Sequence, residues 1–306
     1  MLFAKRGVGL ELAPDGLKLA LAGGSARALK VEGYQTAPFP EGTLRLSRRE
    51  PNVLNPQAFV SAVREGYLKL LARGKSVSVS LPDAVGRVLL LDLEARFKSR
   101  EEGLDIIRWK LKKNFPMEIS SMHLDYQTLH QTESGAVSLL VSLISRDIIT
   151  QYEELLLLAG VEPRFIDFTS FNLYRLFAHR LEMAENLAFV TFYGGSLSML
   201  IFYAGELCFY RNKELASDAA SLYREVNSSF LVYKDKFPGR PVNDVFCMAG
   251  PAEAEAFRVL VSEASGIEPV LLDVERLTSS GSGFSAERAT LHTLCGALGA
   301  AARSLS

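Results

Sequence analysis

LAFVTFYGGSLSMLIFYAGELCFYRNK, residues 187–213, is the stretch whose reading decides the fold. Three β-rich runs, 188–193, 197–203 and 206–211, are separated by Gly194-Gly195 and Ala204-Gly205, pairs suited to tight antiparallel turns. A similar unit opens the chain, where 7–12, 17–22 and 28–35 are extended runs broken by Pro14-Asp15-Gly16 and Gly23-Gly24. Two copies of one supersecondary unit, each opening one half of the chain, imply a duplicated two-lobed α/β fold with a cleft between the loops.

The whole chain agrees with a folded, ordinary protein. Its 306 residues are enough for one large or two ordinary domains, with 48% hydrophobic and 23% charged residues. A formal net charge of -1 supplies no global field for nucleic acid or an anionic membrane. Cys208, Cys247 and Cys295 share no CxxC spacing, so they read as reduced thiols rather than a disulfide framework or zinc site. The start lacks the long apolar core of a secretory signal, and no apolar run reaches the roughly 18 residues a membrane helix needs. The expectation is a cytoplasmic chain with no direct membrane insertion.

Between the two meanders lies a proline- and arginine-rich connection, 37–55, then a helix from Pro56 whose stripe is Phe59, Val63, Tyr67 and Leu70. Short strands at 76–80 and 85–93 flank Pro82-Asp83. Ser99-Arg-Glu-Glu102 is a capping box, which stabilises a helix start by about 1 kcal/mol. That helix runs to about Asn114 ahead of Pro116, with Leu104, Ile107, Leu111 and Phe115 on one stripe and Trp109 off it among basic residues. Strands at 122–130 and 136–145, a helix at 146–159 closed by Gly160, a strand at 163–167 and a helix at 169–180 follow. Beyond Lys213 come a helix at 218–237, a strand at 244–249, Gly250-Pro251, a helix at 252–265, a strand at 269–273, a soft loop at 278–283 and one closing helix at 285–304, rich in small residues.

These residues add up to a resemblance. IIRWKLKKNFPMEISSMHLDYQTL (106–129) is similar to the helix, proline break and strand of the PilM family of type IV pilus assembly proteins. SVSLPDAVGRVLLLDL (78–93), AGVEPRFIDFTSFNLYRLF (159–177) and ALGAAARSL (297–305) resemble the same family. The resemblance implies a two-lobed, actin-like (ribonuclease-H-like) ATPase fold with an inserted α+β subdomain in the first lobe and a reduced second lobe. The first lobe is then 1–168, with a core of 1–81 and an insert of about 82–166, and the second is 169–306.

In that superfamily two glycine-turn hairpins and an adenosine turn hold nucleotide and magnesium, because turn amides cradle phosphate oxygens and a carboxylate holds the metal. The resemblance places these positions at Glu11 and Gly16 in the first hairpin, Thr191, Gly194 and Gly195 in the second, and Gly250 in the third. Each region departs from the pattern. Ala13 replaces a glycine, Thr191-Phe192-Tyr193 stands where an Asp-Ile-Gly pattern is usual, and Pro251 removes an amide donor. The helical subdomain that helps enclose the base is also missing between Lys213 and Val245. The expectation is therefore a pseudo-ATPase with no catalytic residue, metal or cofactor. The alternative is an ATP- and magnesium-binding member with slow or partner-dependent hydrolysis.

The family also implies a partner: the short cytoplasmic tail of a PilN-like bitopic membrane protein, bound where the insert meets the first lobe. Val88, Leu90, Arg108 and Trp109 are the candidate contacts, which would place the chain on the cytoplasmic side of the inner membrane through that partner. Other motifs have plainer readings. Gly281 to Ala286 fits a dinucleotide fingerprint only on paper, since a polar loop rather than a strand precedes it, and Ser285 suits a helix cap. Gly194 to Ser198 lacks the last glycine of a nucleophile elbow. His123, His130, His179 and His292 lack metal or triad spacing.

Overall fold

The computed structural model describes residues 5–94, 96–114, 118–133, 135–216, 218–280 and 286–305, with backbone alone at 114 and 280. Both meanders form as the turn residues dictate. The first comprises β1 (Arg6–Ala13), β2 (Gly16–Ser25) and β3 (Ala28–Pro38); the second comprises β9 (Leu187–Tyr193), β10 (Ser196–Tyr203) and β11 (Glu206–Glu214). Gly194 and Gly195 both have positive φ, 57° and 77°, as a two-residue hairpin matched to strand twist requires.

Each meander is the start of a sheet. With β4 (Ser76–Leu81), β8 (Glu162–Phe168) and β14 (Thr278–Ser280), the first builds a six-stranded sheet ordered β14-β3-β2-β1-β4-β8. The second, with β12 (Asp244–Met248) and β13 (Val270–Leu271), builds a five-stranded sheet ordered β11-β10-β9-β12-β13. One face of the first sheet is covered by α1 (Pro56–Leu70) and α3 (Arg146–Ala159), whose Phe59, Val63, Ile148 and Tyr152 are buried with Leu17, Leu19 and Val79. One face of the second carries α5 (Ala219–Lys236) and α6 (Ala254–Ser265), anchored by Val226, Phe230, Phe257 and Val261.

Between the sheets lie α4 (Thr169–Leu181), α7 (Arg288–Thr293) and α8 (Cys295–Leu305). Leu173, Phe177, Ala297, Leu298 and Ala301 share one core with Ala20 of the first sheet and Phe189 of the second. The small residues of α8 are there for contact distance. A Cβ on Gly9 would lie 1.8 Å from the Ala297 carbonyl oxygen, and one on Gly299 would lie 2.0 Å from that of Asn172 in α4. Helix and strand therefore touch backbone to backbone.

The insert is a three-stranded sheet ordered β5-β7-β6, from β5 (Gly86–Leu93), β6 (Met122–Gln131) and β7 (Val137–Ser145), with α2 (Arg100–Asn114) on one face. Ile107 and Leu111 pack on Leu139, Val141 and Leu143. The capping box forms in an altered way: Ser99 Oγ accepts from the Glu102 amide at 3.2 Å, while the Glu102 carboxylate accepts from the Lys98 amide rather than that of Ser99. Phe115 and Pro116 lie outside the described residues.

Three expected boundaries shift. The insert spans 86–145 rather than 82–166, because α3 packs on α1 and β8 pairs in parallel with β4 of the main sheet. The end of the chain returns to the first sheet: β14, read as loop, pairs with β3 in parallel, and α8 packs on β1 through Gly7 and Gly9. A division at residue 168 thus leaves 278–280 and 295–305 on the sheet that the first half builds. The closing helix is two helices, broken at Leu294. The Gly281 to Ser285 part of the paper fingerprint, with its proposed cap, lies outside the described residues.

Candidate functional site

The two hairpins meet over the N-terminus of α8, and the chemistry there centres on Glu11. This carboxylate is only 4% exposed. Lys18, its cross-strand neighbour on β2, donates to Oε1 at 3.1 Å, and the Tyr193 hydroxyl lies 2.9 Å from Oε2. The Ala297 amide in the first turn of α8 also donates to Glu11, as the positive end of a helix favours. Gly296 allows this approach, since a Cβ there would stand 2.6 Å from Oε2. Burial outweighs these partners and raises the Glu11 pKa, with the Lys18 charge the largest opposing influence.

Tyr193 crosses from the second sheet to reach this cluster. Its single hydroxyl proton is shared between Glu11 Oε2 and the Thr293 carbonyl at 2.7 Å, and its oxygen accepts from the Gly296 amide at 3.4 Å. Burial first, then the Glu11 charge, pushes its pKa well above that of an ordinary phenol. Lys18 Nζ sits 5.4 Å from the ring centroid. The ring divides the cleft. On one side Gly194, Gly195, Gly250, Glu253 and His292 surround a cavity of about 320 Å³; on the other Glu11, Ala13, Lys18, Gly194 and Ser196 line one of about 300 Å³.

The other sequence candidates have structural occupations. Thr191 is 1% exposed behind Tyr193, and its hydroxyl is buried without a hydrogen-bond partner. Gly16 lacks positive φ; it is needed because β3 runs so close that a Cβ would lie 2.4 Å from the Ala37 carbonyl oxygen. Gly250 also has an ordinary φ and lines the cavity beside His292. A triphosphate with magnesium fits this residue set poorly: Glu11 is already engaged by Lys18 and Tyr193, a phenol occupies the junction, and Thr191 is buried behind it. Among the described residues no group of three His, Cys, Asp or Glu side chains is placed to hold a metal ion.

A second, open site lies between the insert and the edge strand β8, a groove of about 800 Å³. Residues 163–168 of β8 form one wall, and among the described residues β8 pairs with β4 alone, so its other edge faces this space. Phe165 is flanked by the guanidinium groups of Arg164 and Arg303, 5.3 and 5.0 Å from its ring. Asp167 is held by Arg175 at 3.2 Å and Arg303 at 3.8 Å. The opposite wall presents Val88, Leu140, Ser142 and the Arg100–Asp125 ion pair.

Of the four partner contacts named from sequence, only Val88 lines this groove. Leu90, on the same face of the insert, packs against the core between the lobes. Arg108 and Trp109 sit on α2, which covers the other face. Arg108 binds Asp105 in its own helix, and Trp109 is 60% exposed with Lys113 Nζ 3.8 Å over its ring. The sequence reading missed Phe165, Phe168, Phe171, Arg175 and Arg303. The signal is present in 159–177, whose aromatic residues at 165, 168 and 171 span the strand-to-helix switch.

No family model matches this sequence, and no curated protein sequence does. The fold has clear relatives. A chain of the PilM-PilN type IV pilus biogenesis complex superposes with a TM-score of 0.83 at 17% identity, covering 98% of each chain. The cytoplasmic domain of EpsL, an inner membrane component of the type II secretion system of Vibrio cholerae, aligns with a TM-score of 0.50 at 11% identity, over 95% of this chain and 94% of that one. A Bacteroides thetaiotaomicron protein with an actin-like ATPase fold and unknown function gives a TM-score of 0.50 at 10% identity, over 90% and 93%. The expected architecture is therefore the observed one: an actin-like ATPase fold of the PilM type.

Proposed function

We propose that this chain is an actin-like adaptor of a type IV pilus or related secretion platform, and that it works without nucleotide. It would stand on the cytoplasmic side of the inner membrane and hold the tail of a PilN-like membrane protein. The observation that carries the nucleotide-free part is the Tyr193–Glu11 contact, which engages Glu11 between the two lobes. The end-to-end likeness to a chain of the PilM-PilN complex supports the platform role. The groove beside β8 suits an extended peptide, because a free strand edge offers main-chain pairing and Val88, Leu140 and Phe165 offer apolar contact. Pro163 lacks an amide donor, so pairing would begin at Arg164.

The test is a pull-down with the cytoplasmic tail of a PilN-like single-span membrane protein. Val88→Arg should abolish capture and Trp109→Ala should leave it intact; the reverse pattern would move the site to α2. The competing reading, ATP binding with partner-assisted hydrolysis, is favoured by one feature: Gly194 and Gly195 keep an open, positive-φ turn. Nucleotide affinity of the wild type separates the two. An affinity equal to that of the restored variant Thr191→Asp/Tyr193→Gly would support the competing reading.

A further inference from the structure

A second space, of about 500 Å³, opens off the β8 groove, between the insert, α4 and the second sheet. Gln127, Thr128, Leu140, Phe171 and Arg175 line both, so the two are compartments of one channel under the insert. A free strand edge marks the passage between them: among the described residues β6 pairs with β7 alone, and its residues 127–129 stand where one compartment gives way to the other. The far compartment has an aromatic floor that crosses the lobe boundary. Tyr174 of α4 stacks on Phe202 of β10, with ring centroids 5.1 Å apart and planes at 17°, and Phe171, at the junction, stacks on Tyr210 of β11 at 5.2 Å. Leu129 of the insert and Leu207 of β11 add apolar surface, and beside them His130 Nδ1 and Glu206 Oε1, 2.7 Å apart, bridge the insert to the second sheet.

We infer that the partner tail proposed for the β8 groove runs on past β8 into this second compartment, where it seats a large apolar side chain on the Tyr174–Phe202 floor and so holds the second lobe as well as the first. The inference rests on the groove reading and adds a separable subsite to it. Two free edges in succession, β8 and then β6, offer an extended chain main-chain partners along its path. The stacked rings and leucines supply the apolar contact that fixes its register. Size agrees: at about 30 Å³ per water the compartment holds roughly seventeen waters, room for more than one side chain. The rim selects a peptide over a charged small molecule. Arg27 and His179 stand there with Glu182 and Glu206, and a rim of both signs gives no field that would concentrate a phosphate or an anionic headgroup.

Photocrosslinking of the full wild-type chain tests this, with the cytoplasmic tail of a PilN-like single-span membrane protein supplied as synthetic peptides that carry a benzophenone side chain at one position at a time. Successive stretches of the tail should crosslink to residues 163–168 and then to residues 202 and 205–207 of the second lobe. Ala178, on α4, lines the far compartment and not the β8 groove. Ala178→Trp should therefore weaken binding of the whole tail about tenfold or more, the worth of one buried apolar side chain, as read by fluorescence anisotropy. The same variant should leave unchanged the affinity of a peptide trimmed of the stretch that crosslinks to the second lobe, and an unchanged urea midpoint would show that it remains folded. Crosslinks confined to β8 and the insert, or whole-tail affinity untouched by Ala178→Trp, would overturn the inference and leave the β8 groove in place. Crosslinks to α2 alone, with Val88→Arg binding like wild type, would remove the groove and the inference together. Dimerisation of the chain by itself that Ala178→Trp abolishes would give the compartment to a second copy, which also overturns the inference.

Discussion

Replacing Tyr193 with phenylalanine removes one oxygen and leaves the ring that fills the cleft. That oxygen lies 2.9 Å from Glu11 Oε2, 2.7 Å from the Thr293 carbonyl and 3.4 Å from the Gly296 amide. Glu11 and Gly296 are buried, while Thr293 is exposed at the rim of the cleft. A hydrogen bond to a charged acceptor contributes about 1.5–3 kcal/mol, and stranding a buried group costs a similar amount. Tyr193→Phe should therefore lower stability by about 2–3 kcal/mol, read as a fall in the urea midpoint with unchanged m. Nucleotide binding should not appear, because the ring still separates the two halves of the cleft. A loss below about 0.5 kcal/mol, the level of a neutral surface change, would refute the argument that this hydroxyl fastens the lobes. So would binding of ATP by the variant.

Further outcomes follow from other contacts. Asp83 starts from an ordinary value of 3.8 and burial raises it, so the folded form binds the proton more tightly than the unfolded chain. Its contribution is whole below pH 3.8 and is lost as pH rises through the raised value. Asp83→Asn removes that slope, so the stability gap between wild type and variant should narrow as pH is raised from about 4 to about 7; a widening gap in paired urea titrations would contradict the assignment. Gly299→Ala should cost about 3 kcal/mol or more through overpacking, since its Cβ would stand 2.0 Å from the Asn172 carbonyl oxygen; thermal melts unchanged by the substitution would show that α8 and α4 are not in backbone contact. In the partner assay Val88→Arg should weaken tail binding at least about tenfold, the effect of placing a buried charge against an apolar contact, and equal binding would remove the groove from the account.

Local chemistry made most of the fold legible. Glycine pairs at 194–195, the alternation on either side of them, the stripe through Phe59 and Val63, and Gly160 at a helix end each fix an element whatever surrounds it. What sequence did not show were pairings between distant segments. Ser279 pairs with Lys30 across the chain's length, and no local pattern at 278–280 announces a strand of that size. Nor did Pro82-Asp83 read as more than a break, although Asp83 binds Ser170 and Tyr210, residues from the helix between the sheets and from the second sheet. In the sequence Trp109 lies off the apolar stripe among basic residues, whereas the groove is lined by β8 and the opposite face of the insert. The replaced residues at 191–193 were visible as departures, whereas the partner Lys18 was not, because only the strand register places it opposite Glu11.

The most direct measurement is calorimetric titration of the unmodified chain with ATP and magnesium. With Glu11 held by Lys18, Tyr193 and the Ala297 amide, no saturable heat should be seen. Stoichiometric binding at sub-millimolar affinity would contradict the claim that the lobes are closed by side chains in place of nucleotide.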